Sequence, residues 1–178
     1  DKILSALNEP SLVTLMHANN EIGNLIDLKE LSSICRKYGA YLHSDTVQTM
    51  GHYPFDLGDL DVDFLSGSAH KFHGPKGAGM MYINGDLKLN AFIHGGAQER
   101  NMRAGTENSY GIIGLIKAFE LAHNEMEEDI AYIEDLRSYM IQKLKENIDG
   151  VSFNGDPEGN SLYTVLNVSF PSGRDNDM

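Results

Sequence analysis

The chain has 178 residues, 41% of them apolar and 22% charged, and a formal net charge of −12. This apolar content supports a packed core. The acidic balance argues against nucleic acid or anionic membrane as the main partner, because gripping phosphates takes clustered Lys and Arg. The single cysteine, Cys35, excludes an internal disulfide framework and any CxxC metal site. No apolar run is long enough to cross a bilayer, and no charged-then-apolar leader opens the chain. We therefore expect a cytoplasmic protein with no nucleic-acid and no membrane partner. The length fits one domain, or one domain with a piece of another. The chain opens at Asp1 and stops at Gly173–Met178 directly after a strand-like run, so part of a longer protein is expected.

Leu12–Met16 is a continuous apolar run, the pattern of a strand buried on both faces. It ends in Asn19-Asn20-Glu21. Asp27 predicts a helix cap, and Leu28, Leu31, Ile34, Cys35 and Tyr38 form one apolar face before Gly39 stops the helix. A second strand over 40–44 follows, so a right-handed parallel βαβ unit is expected. A third strand is predicted over 62–67. Gly74-Pro75-Lys76-Gly77 then turns tightly into a fourth, Ala78–Ile83. That connection is too short for a helical crossover, which makes the fourth strand antiparallel.

Residues 94–108, rich in Gly, Arg and amides, read as an ordered functional loop. Ile112, Ile116, Phe119, Met126, Ile130, Ile133, Met140, Leu144 and Ile148 then recur at helical spacing. They predict a rod over about 109–148, kinked or straight, that bridges two domains, with 125–129 as its solvated acidic face and Gly150 as its end. Val151-Ser152-Phe153 and Tyr163–Phe170 read as strands of a second, smaller unit.

Three apolar runs thus end in polar clusters: Asn19-Asn20-Glu21, then Asp45 with Gln48, then Ser68 with His70 and Lys71. In open α/β sheets ligands bind outside the carboxyl ends of the strands. If the strands are parallel, these clusters converge. A lysine and an aspartate at the ends of neighbouring strands are what pyridoxal phosphate (PLP) requires, an amine for covalent attachment and a carboxylate for the ring nitrogen. Each residue also has a plainer reading: Lys71 as a surface lysine, Asp45 as a helix cap, Ser68 and His70 as loop residues bonded locally. The Gly74–Gly77 turn reads as structural. The scattered histidines His17, His43, His52, His73, His94 and His123 form no i, i+4 metal pair, and Cys35 reads as core.

At these residues the chain resembles the group I cysteine desulfurases of the class V aminotransferase family, fold type I PLP enzymes. The resemblance runs through Ala18–Gly23, His43-Ser44-Asp45, Ser68–Gly77, Gln98-Glu99-Arg100 and Arg103–Asn108. It implies an α/β fold: a partial PLP-transferase large domain (1–107), mostly parallel with an antiparallel edge strand, then a linking helical segment (108–150) and the start of a small α+β domain (151–178). It implies Lys71 as the Schiff-base lysine and Asp45 as the pyridinium partner. Asn20 and Gln48 would bond the cofactor's phenolic oxygen, with Asn20 also near the substrate carboxylate. Ser68 and His70 would bind the phosphate, and Thr106 would reach the phosphate of the other subunit of a homodimer. Arg100 and Arg103 receive no role.

The implied reaction converts L-cysteine to L-alanine. The substrate condenses with PLP, an enzyme thiolate attacks its sulfur, and the resulting persulfide passes to a sulfur-acceptor or iron–sulfur scaffold protein or to tRNA thiolation. Family members are longer. The histidine that stacks on the cofactor, the arginine that grips the substrate carboxylate and the loop with the nucleophilic cysteine have no counterpart in this chain, and Cys35 does not match that cysteine. Two other readings stay open. One is a different class V PLP enzyme, such as a selenocysteine lyase or an aminotransferase. The other is a truncated, catalytically inactive domain that persists as a partner-binding module.

Overall fold

The computed structural model describes residues 1–6, 9–85 and 87–171. The predicted strand–helix–strand unit is formed by β1 (Leu12–Met16), α1 (Leu28–Lys37) and β2 (Tyr41–Asp45). Asp27 caps α1 as expected: its side chain accepts from the backbone N–H of Lys29 at 2.8 Å and of Glu30 at 3.0 Å. Such a cap stabilises a helix by about 1 kcal/mol. Gly39, at φ 63°, follows the helix in the left-handed region that glycine adopts without a steric penalty.

β1 and β2 pair in parallel, with Met16 opposite Asp45. β2 pairs in parallel with β3 (Phe64–Ser68), with Asp45 opposite Ser66. β4 (Gly79–Ile83) pairs antiparallel to β3, with Ser68 opposite Gly79. The order β1-β2-β3-β4 is therefore a mostly parallel sheet with an antiparallel edge strand, the expected arrangement. The third strand begins two residues later than 62–67 predicts. Val62 is instead held in a local turn by its N–H to the Leu60 carbonyl, and Asp63 turns its carboxylate to Arg36 and to the Leu42 N–H.

The core lies between α1 and the sheet. Leu28 and Cys35 from the helix meet Ala40, Leu42, Leu60, Val62 and Leu65. The expectation that β1 is buried on both faces is not met: Leu12, Leu15 and Met16 are exposed. β1 is an edge strand here, and α1 covers only one face of the sheet.

α2 (Ser109–Asn147) is one unbroken helix of 39 residues, about 58 Å long at ~1.5 Å per residue. The Asn108 side chain caps it by accepting from Gly111 N at 3.1 Å. Its buried residues are Gly111, Leu115, Met126 and Ile141. Of the predicted stripe, Met126 is buried, but Ile112, Ile116 and Met140 are exposed. One stripe cannot stay buried along a rod that runs past the layer it packs on. The acidic residues at 125, 127, 128 and 129 face solvent.

A second cluster, Met50, Ala69, Phe72 and Leu115, pins α2 to the turn that follows β3. Phe72 and Phe119 meet edge to face at 5.6 Å. After the helix, β5 (Ser152–Asn154) and β6 (Asn167–Ser169) form a two-stranded antiparallel sheet. The predicted 163–170 strand is thus shorter. Its first residue, Tyr163, is buried in side-chain packing instead of extending the ladder. Residues 172–178, the end of the predicted small unit, lie outside the described residues. Among the described residues no helix is long and apolar enough to cross a membrane.

Candidate functional site

Because β1, β2 and β3 are parallel, their carboxyl ends share one edge of the sheet. Asp45 is the last residue of β2 and Ser68 the last of β3. A short 3-10 turn, Ala69–Phe72, leads on from Ser68 and carries His70 and Lys71. Asn20 lies in the loop after β1, and Gln48 in the turns that follow β2. The three predicted clusters therefore end at the same edge.

Local chemistry holds each of these segments. Asp45 Oδ1 accepts from Val47 N at 2.9 Å, which fixes the carboxylate, while its second oxygen has no hydrogen-bond partner among the described residues. The Ser68 hydroxyl and His70 Nδ1 lie 2.7 Å apart. Lys71 is exposed, and its ammonium makes no salt bridge among the described residues. The turn carries it to the surface of this chain. Asn20 is exposed and donates from Nδ2 to Glu21 Oε1 at 2.9 Å. The neighbouring Asn19 shapes the loop, its side-chain oxygen accepting from Glu21 N and Ile22 N at 2.9 and 3.0 Å. Gln48 is half-buried.

Two glycines let the turn close. Gly51, at φ 83°, lies where an added Cβ would meet Phe72 Cβ at 2.8 Å, so the segment after β2 packs directly on the lysine-bearing turn. Gly74 approaches Ala69 equally closely, and its N–H donates to the Ala69 carbonyl at 2.8 Å. Leu115 and Phe119 of α2 press on the same turn through Phe72.

Thr106 is not drawn into this cluster. It is exposed in the 94–108 loop and makes no hydrogen bond to the strand-end residues among those described. The loop itself is ordered by side-chain staples. Gln98 Oε1 accepts from Gly105 N at 3.1 Å, and Arg103 donates to the Gly105 carbonyl at 3.0 Å and to Glu99 Oε1 at 3.3 Å. These bonds hold three successive non-glycine residues, Glu99, Arg100 and Asn101, in the left-handed region.

An aromatic and imidazole network behind the strand ends escapes a reading by local spacing. His17 Nδ1 and Thr49 Oγ1 lie 2.9 Å apart, and burial lowers the His17 pKa, partly offset by Asp27. His52 touches the Tyr163 hydroxyl through Nδ1 at 2.9 Å and the Lys71 carbonyl through Nε2 at 3.1 Å. Burial lowers the His52 pKa as well. It pushes the Tyr163 phenol up to about 12. His52 and Tyr163 are 111 residues apart, so no motif links them.

The donor set suits a phosphorylated pyridine aldehyde: an unpaired amine, a carboxylate with one open oxygen, and a hydroxyl–imidazole pair suited to an anion. No group of His, Cys, Asp and Glu able to hold a metal occurs among the described residues. The largest cavity described, about 720 Å³, is elsewhere, between the far half of α2 and residues 157–159.

The family pattern described as aminotransferase class-V matches residues 1–178. A cysteine desulfurase named IscS from Dictyoglomus turgidum is 48% identical over 171 residues, which is 96% of this chain and 43% of that protein. A solved NifS-like protein superposes with a TM-score of 0.88 at 40% identity, covering 97% of this chain and 47% of the other. A NifS-like protein from Rickettsia africae superposes with a TM-score of 0.90 at 31% identity, covering 96% and 47%. The chain spans less than half the length of these relatives. Sequence, sheet topology and strand-end chemistry agree, and the chain belongs to the class V aminotransferase family.

Proposed function

We propose that this chain is the cofactor-holding portion of a PLP-dependent cysteine desulfurase. The observation that carries the reading is the meeting of Asp45, Ser68, His70 and Lys71 at one edge of a parallel sheet. Relatives named cysteine desulfurase, at 48% and 45% identity, support it.

PLP bound there supplies an electron sink for bond-breaking in the amino acid joined to it. Lys71 provides the amine for attachment. Its exposure leaves the group reachable before the cofactor and the rest of the fold cover it. Asp45, fixed by Val47 N–H, presents its open oxygen to a protonated ring nitrogen. A carboxylate is the right partner because it keeps that proton in place. Ser68 and His70 offer donors to the phosphate. Asn20 and Gln48, on the flanking segments, would orient the ring oxygen, and Asn20 the substrate carboxylate as well. Thr106 would serve the phosphate of a second subunit, which fits its exposure and its lack of a hydrogen bond to this chain's own cluster among the described residues.

The proposed substrate is L-cysteine, the product L-alanine, and the sulfur leaves as an enzyme persulfide for an acceptor or iron–sulfur scaffold protein. The proposed setting is a cytoplasmic homodimer. This chain alone would not complete that reaction, because its one thiol, Cys35, is fully buried in the core. The test is alanine release by the full-length protein with PLP. Alanine from L-cysteine supports the desulfurase. Release from L-selenocysteine only, or amino transfer without alanine, would replace it with another class V activity.

A further inference from the structure

Residues 161–163 form a buried hub between α2 and the strand ends. Ser161, Leu162 and Tyr163 are 5%, 0% and 2% exposed. Arg137 of α2 holds this hub, donating from Nη1 to Ser161 Oγ at 3.1 Å and to the Leu162 carbonyl at 3.3 Å. On one side the hub grips the loop after β1, with Leu162 N donating to the Gly23 carbonyl at 2.7 Å. On the other side it meets the segment after β2. Tyr53 donates its hydroxyl to the Ser161 carbonyl at 3.2 Å, and the Tyr53 and Tyr163 rings meet edge to face at 5.7 Å.

The last link leads to Lys71. A carbonyl only accepts, so His52 Nε2, 3.1 Å from the Lys71 carbonyl, carries the proton and donates it. In the neutral ring Nδ1 is then an acceptor, and the Tyr163 hydroxyl, 2.9 Å away, donates to it. The bonds form a directed chain: Tyr163 hydroxyl to His52, His52 to the Lys71 backbone. The groups that face His52 fit a neutral ring. Burial disfavours a second proton most, and His73 and the Lys71 ammonium add to it, outweighing the Lys71 carbonyl and Asp129, which favour one. Tyr163, held protonated, keeps its donor.

From this geometry we infer that His52 is a positioning residue for Lys71, joined through Tyr163 to the segment beyond the long helix. His52 touches the backbone of the lysine turn and not the lysine amine, so it acts by fixing where that amine is presented. The inference rests on Lys71 being the cofactor lysine. It also gives the residues after α2 a hydrogen-bonded grip on the lysine turn that runs through a single imidazole, beside the direct packing of Leu115 and Phe119 on Phe72.

The test uses the full-length protein with His52→Leu, His52→Gln, Tyr163→Phe and the His52→Leu/Tyr163→Phe double variant. In the cofactor-free protein, hydrogen exchange over residues 69–74 should quicken about fivefold in His52→Leu, the scale of one lost net hydrogen bond. In the loaded protein, PLP release to a scavenger should quicken by a similar factor. Glutamine, which can donate and accept at once, should restore most of both. The double variant should be no faster than His52→Leu alone, since both changes break one chain of bonds. Wild-type rates in the single variants, no rescue by glutamine, or effects that simply add would overturn the inference. Borohydride labelling of the wild type separates the two claims. Absence of label on Lys71 defeats the functional reading, whereas labelled wild type with unaffected variants defeats the role of His52.

Discussion

Asp45 stands directly opposite Ser66 in the parallel β2–β3 ladder, two residues before the chain leaves β3 for the turn that bears Lys71. This register brings the carboxylate and the amine to adjacent strand ends. With Val47 N–H on one carboxylate oxygen, the other stays free for a ring nitrogen. Asp45→Ala in the full-length protein should weaken PLP retention and lower turnover about 10²-fold, the scale of a lost preorganised charge. Unchanged turnover at saturating PLP would refute the pyridinium role.

Cys35 packs with Leu28, Leu42 and Leu65, and burial pushes its thiol pKa up. Thiolate, not thiol, is the reactive form. Cys35 should therefore resist a disulfide reagent in the native protein and react once denaturant unfolds it. Cys35→Ala in the full-length protein should leave sulfur transfer intact while lowering stability by about 1 kcal/mol, through the small cavity it opens. Rapid native labelling of Cys35 would contradict its place in the core.

Asp63 joins α1 to the sheet. One carboxylate oxygen accepts both from Arg36 Nη1 at 2.8 Å and from the buried Leu42 N–H at 2.7 Å. Asp63→Ala leaves that N–H without a partner and frees one arm of a guanidinium that Asp61 still holds. A loss of about 2–3 kcal/mol is expected from the unsatisfied buried donor and the lost charged bond. The urea midpoint reads it, and a shift within error would rule out the role of this junction.

His17 and His52 both have pKa values lowered by burial, below the unfolded value near 6.5. Between the folded and unfolded values the unfolded chain binds more protons, so stability rises with pH across that window. The contribution is complete above about pH 6.5 and is lost as pH falls toward the folded values. The Asp61 carboxyl, held low by Arg36, acts only in more acidic solution, and Tyr53 and Tyr163 only in alkali. The denaturation midpoint should therefore be lower at about pH 5.5 than at about pH 7.5, and the His17→Gln/His52→Gln pair should flatten the dependence. An opposite slope in the wild type would contradict the burial of these rings.

Much of the fold was legible because its signals are local. Asp27 and Gly39 bracket α1, and the short turn at Gly74–Gly77 forces β4 to run antiparallel. The polar ends of β1 to β3 follow from parallel pairing alone. What was not legible depends on what lies across from a residue. Leu12 and Leu15 read as buried because their run is apolar, yet this chain places β1 at an edge. The exposure of Lys71 could not be read from the apolar strand before it, because the 3-10 turn sets its direction. Tyr163 read as the start of a strand, but its hydroxyl and ring are taken up by His52 and Tyr53, more than a hundred residues earlier. No sequence window spans such a contact.

The most direct measurement is borohydride reduction of the full-length protein with PLP, followed by peptide mass mapping, with Lys71→Ala as the control. The account predicts one labelled peptide carrying Lys71, and loss of that label in the variant. Label on Lys76 or Lys37 instead, or label that survives Lys71→Ala, would contradict the cofactor site placed at this edge of the sheet.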